Sequence, residues 1–289
     1  MKRILLPLLI LLSLTAKGQS DSVTFAGAQW GSKTVSQGIE HKWTHFASGE
    51  LFSSNQYISV IEIKPGTGNK IEIFASPVLK ETSLMASEAG AVAAINGSFF
   101  KFNYTHNTED YNSVDYIRKD NRQLAPNTVT GNQRAMHQLG AIAIFNDQLY
   151  ILKADELKEW EKYIQAQEVI TTGPILRVED RDLKLEKSSF YTARHPRTAV
   201  GKKSDGTVIL LTADGRSTQA AGLSLTELQK IMKWLGARYA INLDGGGSTT
   251  MYVAGGSDNG VVNHPSDNKL FDNMGQRKVA NAILVHKAK

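Results

Sequence analysis

The stretch Ala-Arg-Tyr-Ala-Ile-Asn-Leu-Asp-Gly-Gly-Gly-Ser-Thr-Thr-Met, residues 237 to 251, constrains this chain more than any other. An apolar β-type run from Tyr239 to Leu243 stops at Asp244, crosses three glycines and restarts as a second β-type run from Thr249 to Val253. Gly245, Gly246 and Gly247 carry no Cβ, so backbone there can approach a ligand closely and can adopt φ > 0. A carboxylate beside exposed N–H groups suits an anion or a sugar, although glycines between strands also make ordinary turns. The preceding segment narrows the choice. Ser224-Leu-Thr-Glu227 is a capping box, Leu225, Leu228, Ile231, Met232 and Leu235 recur at helical spacing, and Gly236 stands where a C-terminal cap belongs. Thr207 to Thr212 reads as a strand that ends at Asp214-Gly-Arg216. Strand, helix and strand in this order predict two parallel strands, with Asp214 and Asp244 at the same carboxyl edge.

An earlier segment repeats the pattern: Gly90-Ala-x-x-Ala-Ile-Asn96 answers Gly236-Ala-x-x-Ala-Ile-Asn242. A helix from Ser83 to Ala89 precedes the first copy, and Tyr57 to Ile63 with Lys70 to Phe74 reads as a hairpin around Pro65-Gly-Thr-Gly68. The expected fold is therefore α+β. Two similar half-domains, over about 57–152 and 168–285, would each have a mixed β-sheet with a packed helix and would share a central cleft.

Elsewhere, Ser20 to Ser36 reads as irregular and Ala154 to Gln167 as a helix. Ala141 to Phe145 and Leu149 to Leu152 read as a hairpin, Thr171 to Pro174 as a turn between strands, and Val279 to Val285 as a closing strand. Lys101 to Gln138 has no period, and a loop of that length inside a compact chain is commonly functional. Phe99, Phe100, Phe102, Tyr104, Tyr111 and Tyr116 in or beside it are suited either to stacking on sugars or to pinning the loop to the core.

Several function classes are excluded. Met1-Lys-Arg3, the apolar run Ile4 to Leu14 and the exit Thr-Ala-Lys-Gly form a secretory leader, processed after Gly18, and the run is too short for a stable membrane span. The remaining chain, 19–289, is expected to be soluble and exported, periplasmic or secreted. Losing Lys2, Arg3 and Lys17 takes the 33 Lys and Arg to 30 against 28 Asp and Glu, so no nucleic-acid partner is implied. With no cysteine there is no disulfide, thiolate metal site or cysteine nucleophile; 41% hydrophobic residues must supply the core. The glycines lack the Gly-Lys-Ser/Thr of a phosphate loop, and no Gly-x-Ser-x-Gly elbow exists. His41 and His45 have no third ligand, so neither metal nor cofactor is expected. What remains is Asp214 and Asp244 as candidate acid, base or nucleophile. Arg197 and Arg216 are candidate clamps for phosphate or carboxylate, and Arg197 could equally pair with a carboxylate at a strand end.

Taken in order, Ala-Ile-Asn-Gly-x-Phe-Phe (94–100), Thr-Gly-Pro (172–174), Pro-Arg-Thr-Ala-Val-Gly (196–201), Asp-Gly-Arg (214–216), Leu-x-Glu-Leu (225–228), Asn-Leu-Asp-Gly-Gly-Gly-Ser-Thr-Thr-Met (242–251) and Val-Val-Asn-x-Pro-Ser (261–266) resemble the phosphodiester glycosidase family. The resemblance implies hydrolysis of a sugar-1-phosphodiester at its glycosidic bond, giving free sugar and a phosphomonoester. The substrate would be a sugar phosphate or a phosphodiester-linked glycan. A phosphomonoester leaves readily, so stabilising its charge outweighs protonating it, whereas the oxocarbenium-like sugar still needs a carboxylate. Asp244 is the first candidate for that carboxylate and Asp214 the second. Arg197 or Arg216, Gly245, Gly246, Gly247, Ser248 and Thr249 are expected on the phosphate, Thr198 in the substrate site, and Asn96 and Asn242 on sugar hydroxyls or bracing the corners. Glu227 is assigned to the helix cap. A non-catalytic glycan-binding or envelope-polymer protein on the same scaffold is the alternative.

Overall fold

The computed structural model describes residues 21–101, 110–128 and 134–288; the leader, Phe102 and Tyr104 lie outside them. Three sheets make up the chain. The largest has eight strands in the order Gly31–Ser36, Ile39–Leu51, Ser54–Ile63, Val208–Ala213, Arg197–Lys203, Ala237–Asn242, Ile175–Val178 and Arg181–Asp182. A five-stranded sheet runs Arg122–Ala125, Ile117–Lys119, Glu168–Thr172, Gly140–Phe145, Gln148–Lys153, and a four-stranded sheet Met251–Val253, Ala93–Asn96, Lys278–His286, Lys70–Glu81.

The period of two along the central strands explains the layering. Ile209, Leu211, Ala199 and Ala240 face a core closed by Leu228, Ile231 and Met232 of the Leu225–Trp234 helix. Their neighbours Val208, Leu210, Val200 and Ile241 face the opposite core, shared with Ile73, Ile95 and Ile283 of the four-stranded sheet and Ile142 and Ile170 of the five-stranded one. Central strands buried on both faces read as continuous apolar runs, as Val208 to Leu211 does. The outer face of the four-stranded sheet is covered by Met85 and Ala86 of the Thr82–Glu88 helix. The capping box closes on both sides, with Ser224 Oγ accepting from Glu227 N and the Glu227 carboxylate accepting from Ser224 N.

The fold is sheet-rich with few helices, but its finer plan differs from expectation. Every pairing among the described strands is antiparallel, so the sheets are not mixed. Val208–Ala213 and Ala237–Asn242 do point the same way, yet Arg197–Lys203 lies between them, antiparallel to both. The expected hairpin is absent: Ser54–Ile63 pairs with Val208–Ala213, and Lys70–Glu81 with Lys278–His286 in another sheet. The two repeat segments are thus interleaved rather than set side by side, because strands from early and late in the chain complete each other's sheets. The local unit nevertheless recurs. Each helix is followed by a glycine at positive φ, Gly90 at 67° and Gly236 at 82°, then by a buried strand that ends at Asn96 or Asn242.

Two further segments depart from expectation. The 20–36 region holds a helix over 21–26 and the Gly31–Ser36 strand, fixed by Phe25 against Trp30, Phe46 and Trp234. Only a 3-10 turn, Trp160–Tyr163, forms within 154–167. Leu157 and Tyr163 are 56% and 65% exposed, so no helical apolar stripe is buried, and besides Ala166 it is Trp160 that reaches the core. Its indole Nε1 donates to the Gln138 carbonyl at 3.2 Å and holds the 136–138 turn in place.

Candidate functional site

Asp214 and Asp244 follow the carboxyl ends of two strands that run in the same direction, and Arg197 begins the strand between them, so all three sit at one edge of the eight-stranded sheet. Their surroundings then separate them. The buried Asp214 carboxylate accepts from Asn263 Nδ2 at 2.8 Å, His264 N at 3.0 Å and His264 Nδ1 at 2.7 Å. Its lone pairs are committed to anchoring the 263–264 segment.

Among the described residues Asp244 accepts the Gly245 N–H, at 2.9 Å, and it keeps part of its surface open. Burial pushes its carboxyl up to about 6, opposed by the neighbouring Ser248 hydroxyl, the Gly245 N–H and the Arg277 and His137 charges. Ser248 Oγ, itself buried, has no hydrogen bond in good geometry among the described residues.

The two arginines also part company. Arg197 is 2% exposed; its Nε donates to the Leu223 carbonyl and its Nη2 to those of Phe190 and Ala193, at 2.7 to 3.0 Å. A guanidinium committed to three carbonyls braces the fold, and desolvation followed by the Arg216 charge lowers it to about 10. Arg216 is exposed, and among the described residues no carboxylate pairs with it. Its guanidinium lies over Gly246, where an added Cβ would come within 2.9 Å of Nη2.

Each glycine serves a separate need. Gly246 alone takes a positive φ, 61°. A Cβ on Gly245 would lie 2.6 Å from the Pro196 carbonyl oxygen, and one on Gly247 would strike the Asp267–Arg277 ion pair. The N–H groups of Gly245 and Gly246 are taken by Asp244 Oδ1 and the Pro196 carbonyl, which leaves neither for a phosphate.

The asparagines and threonines brace the corners. Asn96 Nδ2 donates to the Asp244 carbonyl, and its Oδ1 accepts from Thr198 Oγ1 and Thr250 N. Thr198 Oγ1 lies 3.4 Å from Thr249 Oγ1, both buried. Asn242 Nδ2 donates to the Gly173 and Leu243 carbonyls. Asn96 and Thr198 are occupied within the protein, whereas the buried Asn242 Oδ1 has no partner among the described residues.

The structure adds a group that the sequence did not single out. Asp115, 0% exposed, hydrogen-bonds His137 Nδ1 and accepts the Phe99 N–H at 3.3 Å. Burial raises its carboxyl to about 7, opposed chiefly by His137, and the charge of Asp244 adds to the rise. The His137 ring lies 5.0 Å from Phe99, which in turn meets Phe190 at 6.3 Å. The only sequence signal for this group was the length of the 101–138 loop. Of the aromatics read there, Phe99 is half-buried beside this group, whereas Phe100 and Tyr116 are buried in the core. Gly173 explains the Thr-Gly-Pro motif: a Cβ there would lie 2.7 Å from the Met136 carbonyl oxygen, so only glycine lets the 136–137 backbone seat beside Asn242.

The corner between Asn96 and Asp244, with Asp115 and His137 beside it, falls inside residues 89–286, which match the family model described as phosphodiester glycosidase. The chain belongs to the phosphodiester glycosidase family. Among phosphodiester glycosidase relatives, the N-acetylglucosamine-1-phosphodiester alpha-N-acetylglucosaminidase of Mus musculus is 40% identical over 101 residues, 34% of this chain and 18% of that protein. The auto-inhibited catalytic domain of the zebrafish enzyme of the same name shares the fold, with a TM-score of 0.64 at 20% identity, over 90% of this chain and 87% of that one. A hypothetical protein from Synechocystis shares it at TM-score 0.59 and 16% identity, over 89% and 63%. The chain therefore matches the mouse relative over less than a fifth of that protein's length.

Proposed function

We propose that the chain is an exported hydrolase that cleaves the glycosidic bond of a sugar-1-phosphodiester, releasing free sugar and a phosphomonoester. One observation carries this reading: Asp244, a partly open carboxylate with spare lone pairs, shares the glycine corner with Arg216, an exposed guanidinium that lies over Gly246. The carboxylate supports positive charge developing on the sugar, and Arg216 supports negative charge developing on the departing phosphate. The half-buried Phe99 ring offers a flat apolar face to the sugar. Hydrogen bonds between the Asn96 and Asp244 corners support a shared cleft. The 97–99 turn, which accepts from Asp244 N at Gly97 and donates to Asp115 from Phe99, brings a second acid beside it, which favours an enzyme over a binder that needs no paired acids.

No helix among the described residues is long and apolar enough to cross a membrane. Export rests on the leader, and intact mass of protein recovered from the cell envelope tests it. A retained Met1 would overturn that part.

The function is tested by incubating the purified protein with a panel of sugar-1-phosphodiesters and assaying released sugar and phosphomonoester together. Release of both in equal amounts is expected. Binding without release across the panel would replace the enzyme with the glycan-binding alternative.

A further inference from the structure

We propose that His137 is the base that deprotonates the hydrolytic water, that Asp115 positions it, and that Asp244 is consequently the nucleophile. The inference rests on the reaction proposed above and assigns its two steps to different groups.

Placement is the first argument. Asp244 N donates to the Gly97 carbonyl at 3.1 Å, and two residues further on Phe99 N donates to Asp115, so one short turn fixes both carboxylates. Phe99 also packs against His137 with its ring tilted by 39°, which keeps that ring at the same corner. The Met136–Gln138 turn is held from behind by Gly173 and Trp160. The charges facing His137 are Asp115 directly and Asp244 across the corner, with Arg277 beyond Asp244 and itself paired to Asp267.

Orientation is the second argument. Asp115 engages Nδ1, which leaves Nε2 of a half-buried ring with no partner among the described residues. A buried carboxylate on one imidazole nitrogen fixes the tautomer and leaves the lone pair of the other as a base. Asp115 is wholly buried, and among the described residues its other hydrogen bonds are the Phe99 N–H and a local turn in which Ser113 Oγ donates to its carbonyl and accepts its N–H.

Chemistry supplies the third argument. In the first step an Asp244 oxygen bonds to the anomeric carbon while the bond from that carbon to the phosphate oxygen breaks, and the phosphomonoester leaves with the bonding pair. No proton donor is needed for so good a leaving group. In the second step a water oxygen bonds to the anomeric carbon, the ester bond to Asp244 breaks and returns its electron pair to the carboxylate, and the water's proton passes to His137 Nε2. That proton then returns to solvent. Water is a poor nucleophile at neutral pH, so a base is needed in this second step.

The test uses whichever panel compound the full-length protein turns over, starting with the methyl phosphodiester of N-acetylglucosamine-1-phosphate. His137→Ala, and His137→Gln as a size-matched guard against misfolding, should lower kcat by about 100-fold or more with KM unchanged or lower. Intact mass should show a glycosyl adduct on the enzyme. Azide, which has no proton to surrender, should restore turnover and give a glycosyl azide of retained configuration. Asp115→Asn should show the same kcat loss and azide recovery, with a shifted acidic limb in the pH profile. A merely structural role for either residue would not be rescued by azide. Turnover within fivefold of wild type in both His137 variants, absence of glycosyl azide, or an inverted sugar product from the wild type would overturn the assignment while leaving the proposed function intact. A wild type inactive on the whole panel would overturn both.

Discussion

Asn96 ties together the two halves of the site: its Nδ2 donates to the carbonyl of Asp244 at 2.8 Å, and Asp244 N donates to the carbonyl of Gly97 at 3.1 Å. Two corners 148 residues apart in sequence hold each other in place. Asn96 Oδ1 also accepts from Thr198 and Thr250, so Asn96→Ala leaves several buried groups unpaired. A loss of about 2–4 kcal/mol is expected, read as a lower denaturation midpoint at unchanged m-value. A midpoint within error of wild type would remove Asn96 from the bracing role.

Asp244→Asn separates chemistry from architecture. The carboxylate is raised by burial and receives one N–H bond, so its charge does little to hold the fold. Turnover should fall by about 100-fold or more, with thermal stability unchanged or higher at neutral pH. Near-normal single-turnover rates together with a lower melting midpoint would instead make Asp244 a turn cap.

Asp244 also sets an opposition between activity and stability. Its carboxyl is raised from 3.8 to about 6, so the folded state holds a proton that the unfolded state has lost. That contribution is fully present below the unfolded value and is lost as pH rises through about 6. Activity needs the ionised form and should fall as pH drops through about 6. His41, lowered to about 4 by burial, opposes the stability trend in the same window, so the readout is the wild-type melting midpoint minus that of Asp244→Asn. This difference should grow from pH 7 to pH 5; a constant difference would mean that Asp244 does not titrate there.

The arginines should behave oppositely. Arg216 is exposed and unpaired among the described residues, so Arg216→Ala should leave the melting midpoint nearly unchanged and slow phosphodiester turnover by about 10-fold or more. Arg197→Ala would strand the Phe190 and Ala193 carbonyls and cost about 2–4 kcal/mol of stability. Arg197→Lys should show a folding defect first. A fully stable Arg197→Lys that fails only on phosphodiesters would restore Arg197 as the phosphate clamp.

Gly246→Ala tests the corner itself. At φ 61° a Cβ is strained and would also press on Arg216, so a loss of about 1–2 kcal/mol with weakened phosphodiester turnover is expected. Wild-type values for both would show that neither constraint operates.

Local chemistry was readable from the sequence. The Ser224 capping box, the Leu228–Ile231–Met232 face, the glycines at 90 and 236 and the polar ends at Asn96, Asn242 and Asp244 depend on interactions within a few residues, which leave a periodic imprint. The order of motifs from 94 to 266 also sufficed to place the family. Only tertiary structure decided which strands are neighbours, because backbone pairing is indifferent to sequence distance: Arg197–Lys203 inserts between two strands whose sequence predicted adjacency, and Ser54–Ile63 leaves its sequence neighbour for Val208–Ala213. The same holds for the ionisable groups. Asp214 and Asp244 look alike as residues, but burial and hydrogen-bond partners set a carboxylate's character, and these come from Asn263 and His264 in one case and an open glycine corner in the other. Asp115 and His137 sit in a stretch without periodicity, and their pairing exists only because the fold buries one beneath the other.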